Sequence, residues 1–294
     1  FRPSFSMGDR TRSFLKVQDG CDYKCSYCTI PIARGHSRNQ DIRSLTVEAE
    51  KIARKGIKEI VITGVNIGDY GKSTGDNFEL LLRELIRVDG IERFRISSIE
   101  PNLLTDEIIS LTAECKKILP HFHIPLQSGS DKVLRLMKRR YRRDQFENRI
   151  SVIRKNIPLA GIGADVIVGF PGETDNDFED TYSFLEEMPF SYLHVFNFSE
   201  RPGTPAENLS GKVPFSTREK RSRSLISLSE KKHLEFSEQN IGQIAEILFE
   251  HNRSEGMITG FTGNYLRSEY PWKISLAGTI KKARLTGVSI SGRM

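Results

Sequence analysis

Long apolar runs, a leader segment and a dense set of cysteines are all missing from this sequence. The longest stretch without an acidic or basic residue covers 118–130 and contains two histidines and two prolines, whereas a membrane span needs about 18 apolar residues. The chain begins with Phe1, and no basic and then apolar leader follows it. We therefore predict a cytoplasmic protein without a membrane partner, of which this chain is a piece.

The patterns of several common enzyme classes are also missing. We find no phosphate-binding loop, no Ser–His–Asp arrangement, no internal repeat and no low-complexity segment. Four cysteines in 294 residues are too few for a disulfide scaffold, and three of them fall within eight positions, which indicates a metal site. Hydrophobic residues at 37% and charged residues at 28% fit a folded chain. Conventional hydrolase and ATPase functions therefore have no support.

Positive charge is concentrated in one window of the chain. The net charge is +6, and residues 132–143 hold seven basic side chains and no acidic one. Without this window the chain is close to neutral. A basic patch on a near-neutral body is typical of a protein that binds polyanions, and a solvated helix end explains the charge equally well.

Short β-rich runs alternate with amphipathic helical patterns over most of the chain. This alternation is typical of parallel strands joined by right-handed crossovers. Six such units in about 215 residues are fewer than a closed eight-fold barrel requires, so we predict an α/β fold with a partial (β/α)6 barrel. The predicted strands are 14–17, 59–63, 93–97, 121–125, 162–168 and 192–198. The predicted helices are 46–55, 78–88, 105–112, 131–137, 144–154 and 174–187.

The pattern changes after Gly203. Residues 216–239 predict one long polar helix, and from Gln243 onward short β-like runs are separated by glycines. Such runs predict a small β-barrel of the oligonucleotide-binding type. We accordingly divide the chain into a barrel domain at 1–230, with the long helix at its end, and a β-domain at 231–294. The strands of the β-domain are predicted at 244–249, 257–262, 265–266, 272–276 and 283–289.

Three of the four cysteines form the strongest motif. Cys21, Cys25 and Cys28 follow the first predicted strand with the spacing C-x-x-x-C-x-x-C, which lets three thiolates converge on one cluster. Four thiolates usually hold a [4Fe–4S] cluster, so three leave one iron open for a substrate or cofactor. The alternative is zinc with His36 as a fourth ligand, although structural zinc sites usually carry paired C-x-x-C units.

The cysteine spacing, with Tyr27 directly before the last cysteine, resembles the signature of the radical S-adenosylmethionine (SAM) superfamily. The resemblance implies that Cys21, Cys25 and Cys28 bind a [4Fe–4S] cluster whose open iron chelates SAM. It also implies a partial (β/α)6 barrel, and an electron transfer that cleaves SAM to a 5′-deoxyadenosyl radical. The cofactor then carries the chemistry, while the protein positions it and excludes water.

Four further segments lie at the C-terminal ends of predicted strands, where a barrel builds its active site. Residues 63–66, 97–101, 123–130 and 166–174 each combine polar residues with glycine or proline turns. In the superfamily the first segment touches the SAM amino group, and an arginine near the SAM carboxylate matches Arg143. The resemblance thus implies cofactor contacts by Tyr27, Gly64, Asn66, Ser98, Glu100, Gln127, Arg143 and Gly169.

Residues 14–239 are similar to the radical SAM methylthiotransferases, and the C-terminal β-module resembles their TRAM domain. Segment 126–130 matches the tRNA-modifying members, and segments 30–35, 95–101 and 193–196 look most like the branch that acts on N6-threonylcarbamoyladenosine. The implied reaction adds a methylthio group to carbon 2 of that nucleoside at position 37 of tRNA. The alternatives are the isopentenyladenosine branch and a non-catalytic RNA-binding protein of the same fold.

The same resemblance implies partners and a second cluster. Family members carry an N-terminal domain in which three cysteines hold a second [4Fe–4S] cluster, and these 294 residues contain no second set of three. Cys115 lies in a helix-like stretch, and we predict that it is structural. The implied partners are the anticodon arm of tRNA and a flavodoxin-like electron donor, and we expect a monomer.

The basic window and the β-module supply candidates for RNA contact. Lys138, Arg139 and Arg140 are assigned to RNA phosphates, which position an RNA without reading its sequence. His121 and His123 are assigned to opposite faces of the fourth strand, one of them toward the barrel interior. Unstacked anticodon bases can stack on aromatic rings, and the candidates for such stacking are Tyr141, Phe261, Tyr265 and Trp272. For Phe261, Tyr265 and Trp272, packing in the core of the β-module explains the residue equally well.

Overall fold

A computed structural model describes residues 4–5, 11–289 and 292–294. Strands and helices alternate through the barrel region, as the hydrophobic periodicity predicts. The strands are β1 (Ser4–Phe5), β2 (Arg12–Lys16), β3 (Gln18–Asp19), β4 (Arg38–Asn39), β5 (Glu59–Thr63), β6 (Arg93–Ile96), β7 (His121–His123), β8 (Gly161–Val168), β9 (Tyr192–Asn197), β10 (Ile244–Ser254), β11 (Met257–Thr262), β12 (Arg267–Pro271) and β13 (Ile280–Arg284). The α-helices are α1 (Ile30–Arg34), α2 (Ile42–Ala53), α3 (Phe78–Leu85), α4 (Asp106–Glu114), α5 (Asp131–Leu136), α6 (Arg143–Asn156), α7 (Asp175–Glu187) and α8 (Phe215–Gln239).

Six parallel strands form an open half-barrel. β2, β5 and β6 pair in parallel, and so do β7, β8 and β9. Two parallel bridges, Phe94 to Ile118 and Ser98 to His123, connect the two groups. Within the described residues no ladder joins β9 back to β2. The predicted partial barrel of six β/α units is therefore confirmed.

The half-barrel buries an apolar outer face under its helices and has a polar inner face. Phe94 and Ile96 of β6 belong to the core that the helices cover. Arg93 and Arg95 alternate with them and therefore point to the interior. The assignment of His121 and His123 to opposite faces is wrong. Residues two apart on a strand share a face, and both histidines contact one hydroxyl group in the interior.

The C-terminal residues form a small antiparallel sheet with the strand order β12-β11-β10-β13. The predicted small β-domain is confirmed, but its sheet is open in the described part of the chain. Two predicted strands are wrong: Tyr265 has a φ of 72° in a turn, and Ile274–Leu276 is a 3₁₀ helix. The strand predicted at 283–289 overlaps β13 only at residues 283 and 284. Pro271, which lacks an N–H donor, ends β12 instead. Met294 extends the pairing beyond the outer strand β12: its N–H group donates to the carbonyl oxygen of Arg267, and its carbonyl oxygen accepts from the N–H group of Glu269.

The small sheet closes the N-terminal end of the half-barrel. Arg93 donates to the carbonyl oxygens of Phe261 and Glu246, at 3.3 and 2.7 Å. Helix α8 runs through the predicted boundary at residues 230 and 231. Its Leu225 packs in the barrel core, whereas its Phe236 packs in the core of the small sheet. None of the described helices has both the length and the apolarity that a membrane crossing requires.

Candidate metal and cofactor site

The cysteine loop begins at the C-terminal end of β2. The short ladder between β3 and β4 holds its base, and Gly20 precedes the first cysteine with a φ of 71°. A Cβ atom at Gly20 would lie 2.0 Å from the carbonyl oxygen of His36, so only glycine fits there. Sequence reasoning missed Gly20, although its place directly before Cys21 is a signal. The thiols of Cys21, Cys25 and Cys28 are free.

Arg139 lies buried against the second cysteine. Its Nη1 atom donates to Cys25 Sγ at 3.1 Å and to Tyr27 Oη at 3.3 Å. Its other terminal nitrogen pairs with the Glu100 carboxylate, and the two side chains are only 3% and 15% exposed. Burial raises the pKa of the Cys25 thiol, and the Arg139 guanidinium opposes that rise. The cation therefore favours the thiolate, which is the form that binds metal.

The assignment of Arg139 to RNA phosphates is therefore wrong. Helix α5 ends before Lys138, whose φ of 56° reverses the chain and turns Arg139 inward. Tyr141, a candidate for base stacking, is also buried and donates to the carbonyl oxygens of Pro125 and Leu126. A count of charges cannot show this change of direction. Lys138 and Arg140 remain exposed.

Asn66 lies beside the cysteine loop with an unsatisfied side chain. Gln18 Oε1 accepts hydrogen bonds from the backbone N–H groups of Val65 and Asn66, at 3.0 and 2.8 Å. The Asn66 amide is buried, yet neither its oxygen nor its nitrogen has a partner. Buried polar atoms rarely stay unpaired without a reason. A bound polar group would satisfy both atoms, which fits the predicted contact with SAM.

The predicted glycines approach protein atoms closely. A Cβ atom at Gly64 would lie 2.8 Å from the Ile67 side chain, and one at Gly169 would lie 2.0 Å from Cγ of Arg218. These contacts by themselves require glycine at both positions. The Gly169 N–H group donates to Glu173 Oε2 at 2.9 Å. Cofactor contacts by their backbones stay predictions.

The structure does not bring Arg143 to the cysteine loop. Its guanidinium lies 4.5 Å above the Phe184 ring, in the layer of outer helices, because the residue begins helix α6. The arginine that lies beside the cysteines is Arg139, and the contact of Arg143 with the SAM carboxylate stays a prediction. Ser98 bridges to β7 and lines the barrel interior, and Gln127 has a φ of 68° next to β8. Both stay predicted cofactor contacts.

The three cysteines fit a cluster better than a single ion. Zinc bonds of about 2.3 Å would bring the sulfur atoms to within about 4 Å of one another. Among the described residues, the group whose ligand atoms all lie within 4.8 Å of one another is His123, Asp165 and His194, and the cysteines do not form such a group. The proposed fourth zinc ligand, His36, has a side chain that is 98% exposed and pairs with Asp22. A [4Fe–4S] cluster spans a wider gap and needs no fourth protein ligand here.

Comparisons with known proteins agree with this geometry. The model of the Radical SAM superfamily matches residues 15–185. The solved structure of the radical SAM methyltransferase TsrM from Kitasatospora setae covers 84% of this chain and 41% of its own, with a TM-score of 0.56 and 17% identity. Coproporphyrinogen III oxidase (HemN) from Escherichia coli, a radical SAM enzyme, covers 89% of this chain and 67% of its own, with a TM-score of 0.56 and 14% identity.

Curated sequences narrow the comparison. The threonylcarbamoyladenosine tRNA methylthiotransferase MtaB of Bacillus subtilis is 41% identical over 96% of this chain and 64% of its own. The Aquifex aeolicus protein of the same name is 44% identical over 82% of this chain and 59% of its own length. A tRNA-2-methylthio-N(6)-dimethylallyladenosine synthase of Acetivibrio thermocellus is 34% identical over 95% of this chain and 59% of its own length. The chain spans about three-fifths of the length of these relatives. It belongs to the radical SAM superfamily, whose members use a [4Fe–4S] cluster and SAM.

Proposed function

We propose that this chain is the catalytic half-barrel and RNA-binding module of a tRNA methylthiotransferase that acts on N6-threonylcarbamoyladenosine. One observation carries the proposal. Three free cysteines, a buried Arg139–Glu100 pair and the unsatisfied Asn66 amide meet at one end of the half-barrel. They do so in a chain that is 41% identical to a threonylcarbamoyladenosine tRNA methylthiotransferase over 96% of its length.

Each residue at this end has a proposed role. Cys21, Cys25 and Cys28 hold the cluster, which supplies the electron that cleaves SAM when both are bound. Arg139 compensates the negative charge of the thiolates and is itself held by Glu100. Asn66 binds the amino acid part of SAM through its free amide. The Tyr27 ring packs edge-on against Phe170, with ring centroids 6.3 Å apart, and closes one side of the site against water.

The small sheet is proposed to bind RNA as a TRAM domain does. Strand β13 presents three exposed cations, Lys281, Lys282 and Arg284, which suit a phosphate backbone. Trp272 packs against the core of the sheet, so it is not proposed to stack on a base. Phe261 and Tyr265 stack on each other with ring centroids 4.9 Å apart at the junction with the barrel.

The exposed cations near the cysteine loop are proposed to contact tRNA. Arg140 lies 3.9 Å above the Tyr23 ring, and Lys138 is exposed two residues earlier. Changing both to alanine is expected to lower the salt dependence of tRNA binding by up to about two units of slope, because each lost phosphate contact removes about 0.7–0.9. The measurement is tRNA affinity as a function of salt concentration.

A matched control keeps the number of charges removed constant. Arg54 and Arg87 are exposed just after the ends of α2 and α3, with side chains 65% and 72% accessible. Changing both to alanine is expected to leave the slope unchanged. Equal slopes in wild type and the Lys138→Ala/Arg140→Ala variant would instead mean that these two residues form only a solvated surface.

A chimera tests the substrate. This chain replaces the matching segment of the Bacillus subtilis relative, whose remaining residues supply the part that the chain does not cover. The chimera is expressed in a strain that lacks that relative, and tRNA nucleosides are analysed by mass spectrometry. We expect methylthiolated threonylcarbamoyladenosine, formed in the cytoplasm with a flavodoxin-like electron donor. The same chimera with Cys28→Ala is the inactive control.

Other outcomes of this assay identify the alternatives. Methylthiolated isopentenyladenosine would favour the second branch, to which the Acetivibrio thermocellus relative belongs by its name. A chimera that holds its clusters and cleaves SAM, yet forms neither product, would contradict the proposed function. A chimera that binds tRNA but holds no cluster at Cys21, Cys25 and Cys28 would favour a non-catalytic RNA-binding protein.

A further inference from the structure

The interior of the half-barrel contains a polar cavity that the cluster site does not use. Its volume is about 290 Å³, and Tyr265 of the small sheet borders it. Gly163 leaves the space that the Tyr192 ring occupies, since a Cβ atom there would lie 2.2 Å from the ring. The polar groups that line the cavity come from four strands. They are Arg95, His121, His123, Asp165, Tyr192 and His194.

All of these groups except Arg95 form one chain of polar contacts with an open end. Tyr192 Oη lies 2.9 Å from His121 Nε2 and 3.1 Å from His123 Nδ1. The Asp165 carboxylate then accepts from His123 Nε2 at 2.8 Å and pairs with His194 at 3.3 Å. His121 Nδ1 is buried without a partner, and His121 is only 4% exposed. The network therefore keeps an unused polar atom at its buried end.

A buried cation, Arg95, borders the same end of the cavity. The guanidinium groups of Arg93 and Arg95 are both buried and share the buried carboxylate of Glu59, at 3.8 and 3.0 Å. Arg93 also lies 3.9 Å from the Glu246 carboxylate, whereas Arg95 has Glu59 as its carboxylate partner. Burial and the nearby Arg95 lower the pKa of His121, so this imidazole stays neutral and Arg95 is the cation that borders the cavity. A buried cation of this kind favours an anionic ligand.

The cavity adjoins the cluster site. Ser98 lines the cavity, and Glu100, two residues further along, pairs with Arg139 beside Cys25. Two extended residues span about 7 Å. A substituent that enters the cavity from the cluster site therefore passes Ser98 first.

We propose that the cavity binds the threonylcarbamoyl substituent of the substrate adenosine, with its carboxylate directed to Arg95 and His121 and its hydroxyl group to the Tyr192–His123 pair. This inference rests on the proposed function. A dimethylallyl substituent has no polar atom, so it would leave these buried groups without partners. A site built around hydrogen bonds rejects an analogue that lacks them far more strongly than an apolar pocket rejects an extra group. The His123–Asp165–His194 group is closed by its own hydrogen bonds and needs no ion.

Binding of short anticodon stem-loops tests the proposal. Three RNAs differ only at one adenosine, which carries the threonylcarbamoyl group, its methyl ester, or the dimethylallyl group. Fluorescence anisotropy measures their affinities for the cluster-reconstituted chain at one fixed salt concentration. We expect the free carboxylate to bind about tenfold more tightly than either of the other two, which corresponds to about 1.4 kcal/mol.

Conservative variants locate the preference. Tyr192→Phe keeps the ring and removes the hydroxyl group, and His121→Phe keeps an aromatic ring and removes the unpartnered nitrogen assigned to the carboxylate, so both are expected to fold. The double variant is expected to bind the three RNAs within about threefold of one another. His251→Ala, at an exposed position of the small sheet, is expected to keep the full preference.

The outcomes separate this inference from the proposed function. An undiminished preference in the double variant would place recognition elsewhere and overturn the inference, while the function would stand. Equal binding of all three RNAs by wild type, together with methylthiolated threonylcarbamoyladenosine in the chimera assay, would also overturn the inference and leave the proposed function standing. A wild-type preference for the dimethylallyl RNA would contradict both.

Discussion

Replacing Cys25 with alanine is expected to remove nearly all cluster iron and sulfide from anaerobically reconstituted protein. A [4Fe–4S] cluster is held by thiolates, and the loop supplies only three, so the loss of one leaves the cluster unstable. Cleavage of SAM to 5′-deoxyadenosine should fall below detection for the same reason. Iron and sulfide assays and the visible absorption spectrum measure the first effect, and chromatography measures the second. Cys21→Ala and Cys28→Ala are expected to behave in the same way.

Cys115→Ala is the matched control. Cys115 is half-buried, follows helix α4 and packs against the barrel core, away from the cysteine loop in sequence. Its replacement should leave iron content nearly unchanged. Loss of iron in Cys115→Ala together with full iron content in Cys28→Ala would show that the ligands have been assigned incorrectly.

Replacing Arg139 with methionine is expected to destabilise the protein by about 3–5 kcal/mol, because it leaves a buried carboxylate without its cation. Burial already raises the pKa of Glu100, and Arg139 opposes that rise. Urea unfolding of the cluster-free chain measures the effect. Arg140→Met, one residue further along, changes an exposed side chain and should cost no more than about 0.5 kcal/mol.

A second variant separates the charge from the packing. Arg139→Met combined with Glu100→Gln removes both charges, so it is expected to be more stable than the sum of the two single changes implies. In the reconstituted protein, Arg139→Met should also shift the reduction potential of the cluster to a more negative value, since a nearby cation favours the reduced cluster. Titration followed by electron paramagnetic resonance measures that shift. An Arg139→Met variant that unfolds and titrates as Arg140→Met does would contradict the role given to this pair.

Local patterns predicted most of the secondary structure. The strand expected at 59–63 agrees residue for residue with β5. The helix expected at 174–187 agrees with α7, whose N-cap Thr174 forms a capping box with Asp177. Both signals are local: β-branched residues with their neighbours, and a side chain that bonds a backbone three residues away. The small sheet was harder to predict. Its strands are short, and one turn residue, Tyr265, adopts a positive φ that its residue type rarely takes.

The sequence by itself determined the half-barrel, the small β-domain and the three cysteines, because periodicity and ligand spacing are properties of consecutive residues. Tertiary structure alone decided which arginine lies beside those cysteines. The positive φ of Lys138 turns Arg139 inward, and a count of charges carries no direction. Tertiary structure also forms the polar cavity, because His123 contacts Tyr192 and Asp165, which lie 69 and 42 residues further along the chain. Contacts between distant residues depend on how the strands are arranged in the barrel, and no local pattern contains that information.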